Sequence, residues 1–424
     1  VRATELRSEN LHHISGQATL TRGLGRSYGD ASLPATEGAA VASSVLADRV
    51  LSFHEPSGVL RAEAGLSLWR LNQLFLSRGW FSPVTPGTQY VTLGGMVAAD
   101  VHGKNHHRAG SFGEHVRALR LRVASGETVE VSDEQEPELF RATLGGMGMT
   151  GHILEVEFSL EKIPSPWIWN ESRRFSNYEE LLQELKSASQ KWPFTVTWSD
   201  FLTPGKQRGR GILMQGRWAE PKETPGVFPR LKNGLSVPFQ LPGGVLGRPL
   251  GRLFNAIYYW KHGARTRRGV MHPGAFFYPL DLLRNWNRLY GKRGFTQYQC
   301  LLPGEDIRVA REFLELFARE GGCALLAVIK DFGAQGKGLL SFPSPGISLA
   351  LDLPLRGAQT QCLVDHLNEY VIAAGGRIYL AKDALTQRKH FHRMEPRLAE
   401  WQRVRRRWDP EERLESALSR RLLC

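Results

Sequence analysis

The chain is predicted to be an α+β protein of two domains, and three observations carry that prediction. Strand-period and helix-period segments alternate through roughly the first 160 residues. Three glycine-rich stretches interrupt them, at 20–33, 84–116 and 137–160. From about residue 165 the texture changes: the glycine pattern stops, and proline and aromatic residues become common. A length of 424 residues, 42% hydrophobic and 23% charged, has room for two or three ordinary globular domains.

In chain order, LTRGLGRSYGDASL (20–33) comes first, with Gly23, Gly25 and Gly29 spaced G-x-G-x-x-x-G. A dinucleotide fingerprint needs G-x-G-x-x-G between a strand and a helix, so that the helix N-terminus meets the pyrophosphate. The spacing differs, and DASLPATEG, with proline and glycine so close, cannot start a helix. The loop can still form an anion-binding nest from Arg26, Ser27 and backbone N–H groups. Residues 58–80 read as a strand and then a helix capped by Ser67, with Leu68, Leu71, Leu74 and Phe75 as its buried stripe. VRALRLRVASGETVEVS (116–132) alternates around an ASGE turn and is a hairpin. PELFRATLGGMGMTGHILEVEFSL (137–160) is a short helix, a glycine-rich turn and a strand.

Beyond residue 165, FTVTWSDFL, GRGILMQGRW, CALLAVIKDF and GISLALDLPL read as strands of a second sheet. DIRVAREFLELFAREGG and AQTQCLVDHLNEYVIAAGG read as helices packed on it. The region from about 204 to 275 resists assignment, and so long a loop is usually functional or disordered. Its Phe, Leu, Trp and Tyr mixed with Lys and Arg suit either an interfacial, membrane-touching lid or a mobile surface insertion.

Net charge is +13, which favours anionic partners: nucleic acid, phospholipid headgroups or a phosphorylated substrate. The cations are spread along the chain and no nucleic-acid module signature appears, so nucleic acid ranks behind the other two. No run approaches the roughly 18 apolar residues of a membrane span. The chain opens on VRATELRSEN, with neither a signal-peptide pattern nor a methionine, so a short N-terminal piece is expected to be missing. Cys300, Cys323, Cys362 and Cys424 lie far apart without metal-like spacing, which points to a reduced compartment and no structural metal. HGKNHH (102–107) invites a zinc hypothesis, but Gly103 breaks it and adjacent His106 and His107 point apart, so no metal is expected.

Taken together, RGLGRSYGD, TPGTQYVTLGGMVAADVHGKNHH and ELFRATLGGMGMTGHI resemble, in order and spacing, the FAD-binding half of vanillyl-alcohol-oxidase (PCMH) type flavoenzymes. With HGKNHH, GFTQYQC, IKDFG, SFPSPG, GGRIYLAKD and VRRRWDP added, the chain closely resembles the decaprenylphosphoryl-β-D-ribose 2'-oxidase family from about residue 20 to the C-terminus. The resemblance implies a two-domain fold: an FAD-binding domain (1–163), a mixed-sheet substrate domain (164–375) and a C-terminal return to the first domain (376–424). It implies FAD-dependent oxidation of a polyprenyl-phosphoryl ribose at C2', with a separate NAD(P)H-dependent keto-reductase completing epimerisation to the arabinose form, an arabinan precursor for the cell wall. An oxidase of free alditols or sugar lactones on the same fold is the alternative, and a flavin-less binding protein is the rival of another class. Basic charge and the aromatic, basic segment near 250–268 fit peripheral membrane contact. A cytoplasmic or membrane-peripheral location is expected, with the periplasmic face also open.

Carried over residue by residue, the resemblance places Thr21, Arg22, Gly23, Leu24, Gly25, Arg26, Ser27, Tyr28, Gly29, Asp30 and Ala31 around the FAD diphosphate. Gly87, Thr92, Leu93, Gly94 and Gly95 continue that wall, and Ala99, Asp100, Val101 and His102 run beside the isoalloxazine. Ile153 and Tyr379 close the cofactor site. Lys104, Trp198, Gln297, Gln299, Lys330, Phe332, Ser348, Ala350 and Lys382 line the substrate side with Tyr28 and His102. Arg26 stands where many flavoenzymes of this type carry a flavin-linking histidine, so FAD is expected to be non-covalent. Ala350 stands where mycobacterial members carry a cysteine, so inhibitors that need that thiol should fail.

Lys382 is the first candidate for taking the hydroxyl proton, provided burial or nearby positive charge lowers its pKa. His102, near neutrality without tuning, is the second, with Tyr28 beside them. Lys330 and Lys104 suit the substrate phosphate or negative charge on the reduced flavin. Each has a plainer reading: Lys382 paired with Asp383, His102 as a structural histidine, Tyr28 and Trp198 as core aromatics. Gln297 and Gln299 share one strand face, which fits a sugar wall or any solvated sheet.

Overall fold

A computed structural model describes residues 2–230, 234–240, 248–263, 265–324 and 326–424. Three short parallel strands, β1 (Thr4–Arg7), β2 (Leu20–Arg22) and β3 (Ala40–Ser43), pair in the order β1-β3-β2. The first glycine loop leaves the end of β2. Strands β4 (Val50–His54), β5 (Val59–Glu63), β6 (Val116–Arg122), β7 (Thr128–Ser132) and β8 (His152–Ser159) make an antiparallel sheet in the order β4-β5-β8-β6-β7. Alternation decides its faces: Val156 and Phe158 are fully buried, while Glu155 meets Arg61 at 2.7 Å and Arg120 at 3.0 Å across the other face.

The expected elements of this half form as read. Ser67 accepts from the Arg70 N–H and caps α1 (Leu68–Phe75), which buries Leu68, Leu71 and Phe75. Leu74 is only half-buried; Asn72 takes the fourth inward place and donates to the Tyr278 hydroxyl at 3.2 Å. Thr92 caps the short α2 (Leu93–Ala98), and α3 (Pro137–Thr143) starts on a proline that has no N–H to leave unpaired.

The second sheet has eight strands, every neighbouring pair antiparallel. They are β9 (Ile168–Phe175), β10 (Phe194–Asp200), β11 (Arg210–Trp218), β12 (Thr266–Met271), β13 (Phe295–Pro303), β14 (Ala327–Phe332), β15 (Gly346–Pro354) and β16 (Arg377–Ile378), in the order β12-β9-β11-β10-β14-β15-β13-β16. Helices α4 (Tyr178–Lys191), α5 (Arg248–Lys261), α6 (Ile307–Arg319) and α7 (Ala358–Ala373) accompany it. Leu181 and Leu185 of α4, Phe313 and Phe317 of α6, and Leu367 of α7 join Ile329, Leu349 and Leu351 in one core on one sheet face. The opposite face carries the polar residues described below.

The stretch at 204–275 is not one loop. It holds the whole of the expected strand β11, helix α5 and edge strand β12, whereas 231–233, 241–247 and 264 lie outside the described residues. Helix α5 carries its apolar side outward, as argued below. The C-terminal α8 (Arg388–Met394) packs on α7, and α9 (Leu398–Trp408) packs back on α3 of the first half, the fully buried Trp401 donating from Nε1 to Ala142 O at 2.9 Å.

Candidate active site

The first glycine loop is held at its far end, where the Tyr28 N–H donates to Ala381 O at 3.0 Å. Among the described residues, no protein acceptor takes the amides of Leu24, Gly25, Arg26 and Ser27. Gly25 has φ +61°, the left-handed region that lets a short run of N–H groups converge in a nest. Gly23 and Gly29 are small for packing: a Cβ at Gly23 would lie 2.2 Å from Thr92 Oγ1, and one at Gly29 only 1.7 Å from Asp383 O. Thr92 thus joins the first two glycine regions, and its hydroxyl also accepts from the Gly95 N–H at 3.2 Å. A Cβ at Gly87 would meet nothing within 4 Å, so that wall borders open space. Thr21 Oγ1 pairs with Nδ1 of buried His152 at 2.7 Å, beside buried Ile153.

The next segment, Ala99 to His102, is pinned from both ends. The fully buried Asp100, at φ +38°, accepts from Gly113 N and Ser111 Oγ, each at 2.7 Å, and from Ser341 Oγ. Burial pushes its carboxyl above the usual range. The Tyr379 hydroxyl donates to Ala99 O at 3.0 Å, and its ring stacks on Phe342. His102 lies among the rings of Phe332, Phe342 and Tyr379, with centroids 4.8, 5.9 and 5.2 Å away.

Beside this segment, strand register assembles a polar row. Lys330 on β14 faces Ser348 on β15, Ala350 faces Gln299 on β13, and Asp352 faces Gln297. With a side-chain period of two these residues share one face. Gln299 Nε2 donates to Ser348 Oγ at 2.8 Å and lies 3.0 Å from His102 Nε2; Lys330 Nζ lies 3.5 Å from His102 Nδ1. Gln297 Nε2 and the Tyr290 hydroxyl donate to the fully buried Asp352. Lys382 Nζ sits over the Tyr28 ring at 5.5 Å. Among the described residues the Oε1 atoms of Gln297 and Gln299 are buried without a partner.

The electrostatics follow from packing several like charges in a dry place. Burial pushes Lys382 down to about 8, partly opposed by the Asp352 carboxylate. Burial, then Lys382 and Lys104, press Lys330 well below its ordinary value. Burial raises Asp352 to about 6. His102 was expected near neutrality; burial, then Lys330 and Lys382, instead push it well below, so it is uncharged throughout the neutral range.

Several predicted residues have partners of their own. Asp30 does not face the nest: it binds Arg421 at 2.7 Å, and Arg421 also holds Asp383 at 2.7 Å. The Lys382–Asp383 pair is therefore replaced, Asp383 being taken by Arg421. Ala31 and Leu93 are core residues, and Val101 is buried with them. Buried Lys104 turns to Phe276, donating to its carbonyl with Nζ 4.8 Å from the ring centroid, and burial brings its pKa down to about 7. Phe332 packs between His102 and His106, and Trp198 meets Tyr258 of α5 edge-on at 4.7 Å. His106 and His107 have separate partners: Nδ1 of His106 accepts from Gly333 N, and Nε2 of His107 lies 2.8 Å from Trp192 O. Asp352, Tyr290 and Arg421 went unread. Asp352 was within reach, since it follows Ser348 and Ala350 at the same two-residue step; Tyr290 and Arg421 carry no local signal.

A family model described as an FAD binding domain matches residues 10–132. The decaprenylphosphoryl-beta-D-ribose oxidase of Mycolicibacterium smegmatis is 33% identical over 418 residues, 96% of this chain and 89% of that protein. The chain belongs to the decaprenylphosphoryl-β-D-ribose oxidase family. A Streptomyces coelicolor protein described as an uncharacterized protein in mprA 5'region is 35% identical, covering 84% of this chain and all of that one (100%). A putative D-arabinono-1,4-lactone oxidase of Neurospora crassa is 28% identical over 35% of this chain and 27% of its own length, a match confined to part of each.

As in its family, this chain is an FAD-dependent oxidoreductase with the two-domain FAD-binding fold. The residues fit the cofactor: four unpaired amides at Leu24–Ser27 suit a diphosphate, and Gly87 leaves room along the wall. Arg26, its guanidinium 5.7 Å from the Tyr90 ring centroid, offers no group for a flavin bond, and FAD is held non-covalently.

Proposed function

We propose that this chain oxidises the C2' hydroxyl of a polyprenyl-phosphoryl-β-D-ribose to the 2'-keto sugar, the first half of epimerisation to the arabinose form. The observation that carries this reading is the gathering of His102, Lys330, Lys382 and Asp352 on one sheet face beside the glycine cradle. Such an oxidation removes a hydride from carbon and a proton from oxygen, and bound FAD supplies the hydride acceptor. The chain must handle the proton. Lys382, with a pKa of about 8, is uncharged in part of the molecules at neutral pH and takes the hydroxyl proton. The charge of Asp352 raises the pKa of that ammonium. His102 is too weak a base for the task and serves as a hydrogen-bonding wall, while Tyr28 covers Lys382. The free Oε1 atoms of Gln297 and Gln299, two residues apart on one face, suit sugar hydroxyls. Lys330, pressed below its ordinary pKa in the free site, is driven back to the ammonium by the substrate phosphate or by negative charge that builds during oxidation, and so answers that charge.

In the same reading, residues 1–163 with 376–424 hold the cofactor and 164–375 hold the substrate. A separate NAD(P)H-dependent reductase completes the epimerisation, and the protein works at a membrane surface. The test is an anaerobic visible spectrum before and after adding a short-chain prenyl-phosphoryl ribose, with ribitol as control. Bleaching by the lipid sugar alone is expected. Bleaching by ribitol alone would move the protein to the alditol oxidases.

A further inference from the structure

Helix α5 is docked with its polar side inward. At 100° per residue, Gly251, Asn255, Tyr259 and the following His262 fall on one side, and all four are buried. That side is fastened by specific bonds. Asn255 Nδ2 donates to the fully buried Asp200 at 2.9 Å, Arg252 Nε to Leu202 O at 2.7 Å, and the Tyr259 hydroxyl to Phe175 O at 3.2 Å. His262 Nε2 pairs with Ser172 Oγ at 2.8 Å. Asp200 is further bound by Arg210 Nε at 3.1 Å, so the anchor is itself rigid. Rolling the helix over would break these bonds and turn apolar side chains onto the fully buried Asp200, taking away its Asn255 donor.

The outward side is apolar. Leu250, Leu253, Phe254, Ile257, Tyr258 and Trp260 are 40%, 55%, 55%, 56%, 40% and 58% exposed. They span an arc of about 160°, interrupted only by Lys261, whose long stem lets its charge reach past an apolar layer. Cations follow at once: exposed Arg265 and Arg267 continue into edge strand β12, with Arg268, paired to Glu171 at 2.6 Å, beside them. An apolar face ending in a basic cluster complements an anionic lipid surface, which offers acyl chains and negative headgroups together. A second protein copy carrying the same cations would repel at this edge.

We propose that α5 is a membrane-docking helix: its Leu253–Ile257 face enters the interface of an anionic bilayer and holds the substrate opening at the lipid surface. The link to the site is Tyr258, on the border of that face, which packs on Trp198; Trp198 pairs with Val328, two residues before Lys330 on the same face of the sheet. The consequence for substrate rests on the polyprenyl-phosphate reading, since a chain anchored this way leaves its prenyl tail in the bilayer while the sugar reaches Lys330 and Lys382.

The test is co-sedimentation of the full chain, loaded with FAD, with vesicles of phosphatidylglycerol and phosphatidylcholine or of phosphatidylcholine alone. The wild type should bind the anionic vesicles and release at high salt. Leu253→Ser with Ile257→Ser should weaken binding by roughly tenfold or more. Its flavin spectrum and its rate on a water-soluble short-chain substrate should stay unchanged. Wild-type protein left in the supernatant, or a double variant that binds as well as wild type, would overturn the proposal. So would a wild-type dimer that the double variant dissociates, since a second copy would then cover the face. The short-chain assay separates the two readings: failure there with vesicle binding intact removes the proposed substrate and leaves the docking helix standing.

Discussion

Lys382 owes its chemistry to two opposed influences, burial that favours the free amine and Asp352 that favours the ammonium. Replacing Lys382 by Met should slow anaerobic flavin bleaching by about 10²–10⁴-fold, the usual worth of a general base, with flavin still bound. Above pH 6 Asp352 is mostly charged, so Asp352→Asn removes an attraction that raises the lysine pKa. The rising limb of the rate against pH should therefore move from about 8 to lower pH. A limb that stays in place in stopped-flow measurements would deny the coupling. The lysine was legible because YLAKD is a distinctive motif, and Asp352 could be placed by its two-residue step along β15; that the two charges influence each other could not, because it takes the return of residue 382 to this sheet face to bring them into range.

At the scale of elements, the glycines divide by what surrounds them. A Cβ at Gly29 would sit 1.7 Å from the Asp383 carbonyl, backbone that cannot swing aside. Gly29→Ala should lower the melting temperature of the cofactor-free protein and abolish FAD retention on gel filtration. Gly87 faces open space, so Gly87→Ala should leave the cofactor-free melting temperature unchanged yet weaken FAD binding in a fluorescence titration. Equal loss of FAD with equal destabilisation in both would show that Gly87 is structural. The strands and amphipathic helices of both sheets were legible by period. The orientation of helix α5 was not, because period reveals which side is apolar and never which side faces the protein.

At the scale of the whole molecule, distant segments are joined by buried polar groups. Arg421, near the C-terminus, clamps Asp30 and Asp383 and so ties the glycine loop to the segment carrying Lys382. Arg421→Met takes away the cation on Oδ2 of the buried Asp383, whose Oδ1 keeps the Thr386 N–H at 3.0 Å, and should cost about 3 kcal/mol in urea unfolding, with weaker FAD retention. Burial pushes His152, part of the same junction, down to about 4. A lowered folded-state pKa means stability that is full above the unfolded value, about 6.5, and lost as pH falls towards 4. His152→Gln, which keeps a partner for Thr21, should remove about 2 kcal/mol of the stability lost between pH 7 and pH 5. Urea midpoints at the two pH values check it, and an unchanged difference would refute it.

By itself the sequence determined the two-part α+β plan, the three glycine regions, the flavin-type motifs and the residue types of the site. Each is written locally, in periods of two or 3.6, in glycine where a Cβ cannot fit, and in motif order. Only the tertiary structure decided that Asp383 belongs to Arg421 and that Lys382 sits over the Tyr28 ring, that Lys104 turns to Phe276, and that α5 shows its apolar side to the outside. These outcomes depend on which charges and faces meet after long stretches of chain have come together, and local pattern carries no record of that.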